Sequence, residues 1–265
     1  MLVIGESLNT TRKDVKEAVK NQDRGFVQRL AVEQVEAGAA MLDVNAAVAG
    51  RSEVEDLPWM VQAVQEVVDV PLALDSSDSH ALLAAMKVHR GRPMINSISA
   101  EAEKMAHLIP VVAETDCSVI VLCMDDQGIP ASVEGRLNAA RTVVHALLDA
   151  GKAYEDIYVD PLVMSISVDP LAARTTLEVI RELRSGDLAG VQITGGLSNV
   201  SYGMPGRRLL NRVFLTTAIL MGLNSCIVDA RDQALMSTIF AAQCLLEDNG
   251  SRNYLKAFRQ GRLTV

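Results

Sequence analysis

The sequence predicts a closed (β/α)8 barrel of the TIM type, on three observations. Short apolar runs recur eight times along the chain, a longer segment with helical spacing follows each run, and 265 residues is the length one such barrel uses. The runs lie at 2–4, 40–44, 71–74, 93–95, 118–124, 156–159, 190–193 and 225–228. Helical segments are predicted near 23–38, 54–68, 78–90, 101–114, 133–150, 169–184, 206–222 and 231–247, with a short terminal one near 253–259. Alternation of this kind needs crossover connections and therefore parallel strands. Eight units in this length close a ring more readily than they extend an open doubly wound sheet, which is the alternative arrangement.

Local punctuation supports the same elements. Gly38 and Gly151 follow helical runs where a left-handed cap is wanted, and Asp23, Ser52 and Asp169 stand where N-caps belong. No low-complexity linker interrupts residues 1–265, which read as one domain. Hydrophobic residues make up 49% of the chain and aromatics only 3%, so the core is expected to be filled by Val, Leu, Ile, Ala and Met.

The net charge of −8 offers no electropositive face for nucleic acid or anionic lipid. The apolar stretch 209–227 is broken by Asn211, Arg212 and Asn224, which a membrane-spanning helix would carry at high cost. The N-terminus passes from four apolar residues straight into polar ones, unlike a signal peptide, and a cytoplasmic protein is expected. Cys117, Cys123, Cys226 and Cys244 form no CxxC pair and are expected to be buried free thiols.

In a barrel of this kind the chemistry lies at the carboxyl ends of the strands. The residues there are Glu6 and Asn9, Asp43 and Asn45, Asp75, Asn96, Asp125, Asp160, Gln192 with the Gly195–Asn199 loop, and Asp229. Nearly all are acids or amides. His80, His89, His107 and His145 fall in helical segments, as do most lysines, so a histidine metal cluster, a Schiff-base lysine and a Ser–His–acid triad are not expected. A pocket with several carboxylates and no fixed cation is neutralised by a ligand with N–H donors or by a hard divalent metal. A pterin ring is such a ligand: its 2-amino group and adjacent ring N–H form a planar pair that Asp75 or Asp160 could accept, and Asn96 could read the neighbouring carbonyl and ring nitrogen. The plainer reading of any one strand-end acid is a helix cap, as Asp75 to Asp78 could be, and the Gly195-Gly196 pair could be a phosphate cradle.

Six strings carry a family resemblance: VIGESLNTTR at 3–12, LDVNA at 42–46, LALDSS at 72–77, MINS at 94–97, YVDPL at 158–162, and GLSNVSYG followed by LLNRVFL within 196–215. With them the chain resembles, end to end, the pterin-binding methyltransferases that couple methyltetrahydrofolate to a corrinoid protein, including the folate module of cobalamin-dependent methionine synthase. The resemblance implies a dihydropteroate-synthase-like barrel, usually a homodimer, with tetrahydrofolate or 5-methyltetrahydrofolate as substrate and cobalt carried by a partner protein. It implies that Asp75, Asn96 and Asp160 hold the pterin and that Asn199 is the catalytic amide beside N5. Glu6, Asp43, Gln192, Gly196 and Ser198 are expected around the same ligand, with Arg207 meeting the folate glutamate tail or capping a helix.

The chain lacks a corrinoid-binding DxHxxG motif and a cysteine set for zinc, so no protein-bound metal is expected and the methyl's other partner lies elsewhere. Apolar residues on more than one face of the segments 206–222 and 231–247 point to a dimer contact. The rivals are a dihydropteroate synthase, which needs cations for a departing pyrophosphate, a noncatalytic folate-binding subunit, and an unrelated divalent-metal barrel enzyme.

Overall fold

A computed structural model describes residues 1–264. Its eight strands are β1 Leu2–Asn9, β2 Met41–Asn45, β3 Leu72–Asp75, β4 Met94–Ala100, β5 Ser118–Asp125, β6 Ile157–Asp160, β7 Gln192–Ile193 and β8 Ser225–Val228. All are parallel and run in chain order around one sheet, with β8 against β1. The β7–β8 seam is closed by a parallel bridge between Gly196 and Ile227. The Asn224 side chain adds to that seam by accepting from Ile193 N at 2.8 Å. The ring is closed, not an open sheet.

Every predicted strand and helical segment is present. The helices are α1 Lys13–Lys20, α2 Arg24–Ala37, α3 Glu53–Gln65, α4 Ser79–Val88, α5 Ala102–Ala113, α6 Val133–Asp149, α7 Ala172–Ser185, α8 Arg207–Met221, α9 Gln233–Leu246 and α10 Gly250–Arg259. Helix α1 has no counterpart in the sequence reading, because it is eight residues long and buries only Val15, Ala18 and Val19. Gly38 takes the left-handed cap of α2 (φ 112°), and Asp23 caps its start by accepting from Phe26 N. Ser52 takes the N-cap position of α3 without a side-chain capping bond, whereas Asp169 accepts from Leu171 N in a turn before α7 begins. Of the cysteines, Cys117, Cys123 and Cys226 are buried free thiols, while Cys244 is only half-buried.

Strand alternation builds the site. Ile4, Met41, Ala73, Met94, Ile120 and Ile227 form an apolar plug inside the barrel, with Tyr158 packed against it. Two residues further along, on the same face, come Glu6, Asp43, Asp75, Asn96, Asp160 and Asp229, with apolar Leu122 in that place on β5. Apolar side chains therefore fill the barrel, and the next layer toward the mouth is, β5 apart, acid and amide. The intervening residues, such as Leu42, Leu74, Ile95 and Val159, face the helices in the main core.

Candidate functional site

The polar layer lines a cavity of about 360 Å³ at the carboxyl ends of the strands. Glu6, Asp43, Asp75, Asn96, Asp160, Gly196, Ser198 and Asn199 all line it, so eight of the ten residues singled out from the sequence converge. The other two do not. Gln192 is in register with Tyr158, inside the barrel below the mouth, and its Oε1 accepts from Asn224 Nδ2 at 2.8 Å. Arg207 turns onto its own loop: Nε donates to Ser201 Oγ at 3.1 Å and Nη2 to the Ser198 carbonyl at 2.9 Å, with the guanidinium over the Tyr202 ring. It braces the turn that carries Asn199, and is not a cavity wall.

Asn9, Asp229, Ser7, Thr11, Arg12 and Ile227 also line the cavity. Asn9 and Asp229 are legible as strand-end residues. Ser7 is not, because the β1 register slips between Gly5 and Leu8: three steps on β1 match two on β2, and this irregularity turns two successive side chains, Glu6 and Ser7, toward the mouth. Arg12 follows β1 and is paired with Asp14 at 2.7 Å, so the mouth does carry a cation.

The hydrogen bonds show what each group has left to offer. Asp75 Oδ2 accepts from Asn45 Nδ2 at 3.1 Å and Asn9 Nδ2 at 3.4 Å, and the Asp43 carboxyl lies within hydrogen-bond reach of the same side chain. The helix cap is supplied instead by Asp78, which accepts from His80 N, so Asp75 does not serve as one. Asn96 Nδ2 donates to Asp43 Oδ1 at 2.9 Å, which fixes the amide and leaves its oxygen as an acceptor. Asp160 Oδ1 accepts from Leu162 N at 2.7 Å. A Cβ on Gly195 would stand 3.3 Å from Asp160 Oδ1, and one on Gly196 would stand 3.3 Å from Asn199 Nδ2. The glycine pair thus lets a carboxylate and an amide approach the same backbone.

Burial dominates the electrostatics. It raises Asp75 and Asp160 to about 6, with Glu53's charge adding to Asp75, while backbone N–H groups of Leu162 and Gly196 partly offset it at Asp160. Asp43 is pushed well above the ordinary range by burial and then by Asp75's charge. Glu6 rises to about 7, through burial first and the charge of Asp229 second. Asp229 goes the other way: burial opposes it, but hydrogen bonds from Arg231 and Gln34 hold it at about 2. The mouth thus holds one firmly ionised carboxylate and four reluctant ones.

A pH effect on stability follows. Raised native pKa values mean that the folded state binds more protons than the unfolded one between the ordinary carboxylate range and about 7, so stability falls as pH rises through that window. Ligand-free protein should melt several degrees higher near pH 5 than at pH 8. A melting temperature that climbs steadily from pH 5 to 8 would contradict this reading of the mouth.

A second cavity of about 580 Å³ adjoins the first across Asp75 and is lined by His80, Lys104, His107, Leu122 and Met124 among others. The sequence reading set these His and Lys residues aside as helical. The early turns of α4 and α5 lie on the mouth side of a β/α barrel, so helical position does not make them remote. Lys104 lowers the pKa of Asp75 by its charge, although burial and Glu53 outweigh it.

A closed parallel barrel with an acid-and-amide cup at the carboxyl ends of its strands has the layout of a β/α-barrel enzyme. The pterin binding enzyme family model matches residues 5–229, and the chain belongs to that family. It is 36% identical to the methylcorrinoid:tetrahydrofolate methyltransferase of Eubacterium limosum, over 99% of this chain and 98% of that one. It is 31% identical to the methionine synthase of Mycobacterium leprae over 87% of this chain, but spans only 20% of that protein. Among solved structures, the 7,8-dihydropteroate synthase of Vibrio fischeri ES114 superposes with a TM-score of 0.68 at 20% identity, covering 93% of each chain. That likeness concerns the fold.

Proposed function

We propose that the protein is a methyltransferase that moves a methyl group between N5 of tetrahydrofolate and the cobalt of a corrinoid carried by a partner protein. One observation carries the reading: the Asn199 amide stands on the rim of the same cavity whose floor is Asp75, Asn96 and Asp160. The full-length match to a methylcorrinoid:tetrahydrofolate methyltransferase supports it. A dihydropteroate synthase is favoured less, since Arg207, one of the cations it would need, is committed to the 197–201 turn.

The floor and rim have separate tasks. Asp75 accepts the 2-amino and ring N–H donors of the pterin; Asn96 and Asp160 fix the rest of the ring. Asn199 donates to N5, where charge changes during transfer. The methyl passes to cobalt without electrons: N5 keeps the bonding pair and Co(I) supplies the new one. Reversal sends the methyl from Co(III) to N5. No covalent enzyme intermediate and no protein-bound metal are needed.

Residues 1–265 act as one barrel domain in the cytoplasm, without nucleic-acid or membrane partners. No helix among the described residues is long and apolar enough to cross a membrane. The dimer reading rests on Leu209, Val213 and Leu220 of α8 and on Leu245 and Leu246 at the end of α9, all exposed. Mixing the protein with methyltetrahydrofolate and a Co(I) corrinoid protein should convert the cobalt absorbance to that of methyl-Co(III). No change in either direction, with corrinoid protein or free cobalamin, would refute the assignment.

A further inference from the structure

We propose that Glu6 is the residue that gives a proton to N5 when the methyl leaves and takes it back when the methyl returns. This deepens the methyl-transfer reading and rests on it.

Glu6 is the mouth carboxyl with the fewest commitments. Asp75 is held by two amides, Asp160 by backbone N–H groups, and Asp43 is buried beneath Asn96. The Ser198 side chain and the Asp229 backbone lie close enough to Glu6 to lower its pKa, and no closer donor is committed to it. Ser198 is the chain neighbour of Asn199, and all three line one cavity. A carboxyl that shares the cavity wall with Ser198 and Asn199 is the acid best placed for a nitrogen held by that amide.

A second feature points to a proton-handling role. Asp229 is clamped in place: Arg231 Nε and Nη2 donate to its two oxygens at 3.0 and 2.9 Å, and Gln34 Nε2 donates to Oδ1 at 2.6 Å. Gln34 is fully buried, and its Oε1 accepts from Ala230 N at 3.1 Å. Glu33 holds the far side of Arg231 at 3.0 Å. This apparatus fixes a negative charge against Glu6. The other groups facing Glu6 are Asp43 from β2, the buried Cys226 thiol from β8, and Arg207 from α8, whose charge pulls the other way. With burial and Asp229 prevailing, Glu6 titrates at about 7, where acid and base forms are both populated near neutral pH.

The step balances. In demethylation the N5–CH3 bond breaks, Co(I) supplies the pair for the new Co–C bond, and N5, retaining its own pair, takes the Glu6 proton. Solvent then reprotonates the carboxylate. In the reverse direction N5 displaces Co(I) from methyl-Co(III), and the Glu6 carboxylate accepts the N5 proton. Demethylation should therefore slow as pH rises through about 7, and remethylation should quicken.

Glu6→Gln keeps the shape and the Ser198 contact, so tetrahydrofolate affinity should stay within a few-fold. Turnover with a Co(I) corrinoid protein should fall about 10²-fold or more, and the opposed pH limbs of the two directions should vanish. Asp229→Asn should move the demethylation limb to lower pH. ¹³C-glutamate NMR of wild-type protein reads the carboxyl without turnover and without altering Glu6. A resonance titrating near 7, and lower in Asp229→Asn, is expected. A Glu6 that titrates in the usual carboxylate range, or a slow Glu6→Gln that keeps the wild-type pH profile, overturns the proposal and leaves the methyltransferase reading standing. Wild-type protein that forms no methyl-cobalt sinks both.

Discussion

Asn199→Ala should still bind tetrahydrofolate and should lose about 10²- to 10³-fold in the rate of methyl transfer, the loss seen when one donor to a developing charge is removed. The physics is differential binding. N5 with its methyl attached offers the amide little, whereas N5 keeping an extra pair as the methyl leaves is a strong acceptor, so the hydrogen bond tightens along the reaction. Asn199 is exposed on the rim, its donor is not among those spent on the protein, and Gly196 leaves the space beside it open. Arg207 holds the turn through Ser198 and Ser201, so truncating Asn199 should leave the loop in place. Single-turnover absorbance of the cobalt separates the chemical step from binding. Weak folate binding with an unchanged single-turnover rate would make Asn199 a binding residue, contrary to this view.

The sequence made the barrel legible because parallel strands buried on both faces read as plain apolar runs, and each run was found. Most of the cup was equally legible, since an acid or amide two residues past the last inward apolar residue, as in Ile4–Glu6 or Ala73–Asp75, breaks the run where the barrel opens. What the local pattern did not place has definite causes. Gln192 sits at the end of an apolar run too, but β7 is two residues long and its register with Tyr158 places Gln192 below the mouth. Arg207 is set by a tertiary hydrogen bond across the 197–201 turn, which no local pattern encodes. Ser7 is brought in by the β1 irregularity, and the Gln34–Asp229 link joins residues 195 positions apart. The helical His80, His107 and Lys104 were discounted by element type, when their height along the barrel axis decides whether they meet the mouth.

Asp75→Ala should abolish measurable tetrahydrofolate binding. A carboxylate accepting two N–H groups in a dry pocket contributes on the order of 1.5–3 kcal/mol per bond, so removing both amounts to about 10²- to 10⁴-fold in affinity. The change also strands the Asn9 and Asn45 amides that now donate to Oδ2, which argues for a milder companion. Asp75→Asn keeps one acceptor but turns an N–H toward the ligand's own donors, and it should lose most of the affinity while preserving the cup. Its effect on folding has the opposite sign. Burial is what raises Asp75 most, so a neutral Asn removes the cost of a buried charge that is present only above about pH 6. Ligand-free Asp75→Asn should accordingly melt higher than wild type at pH 8 and no higher at pH 5. Wild-type affinity itself should weaken as pH falls through about 6, because a protonated Asp75 cannot accept both donors. Calorimetry and thermal melts on the same variant test both signs. A variant that binds folate normally, or one destabilised equally at both pH values, would show that Asp75 is a structural acid and not the anchor of the ring.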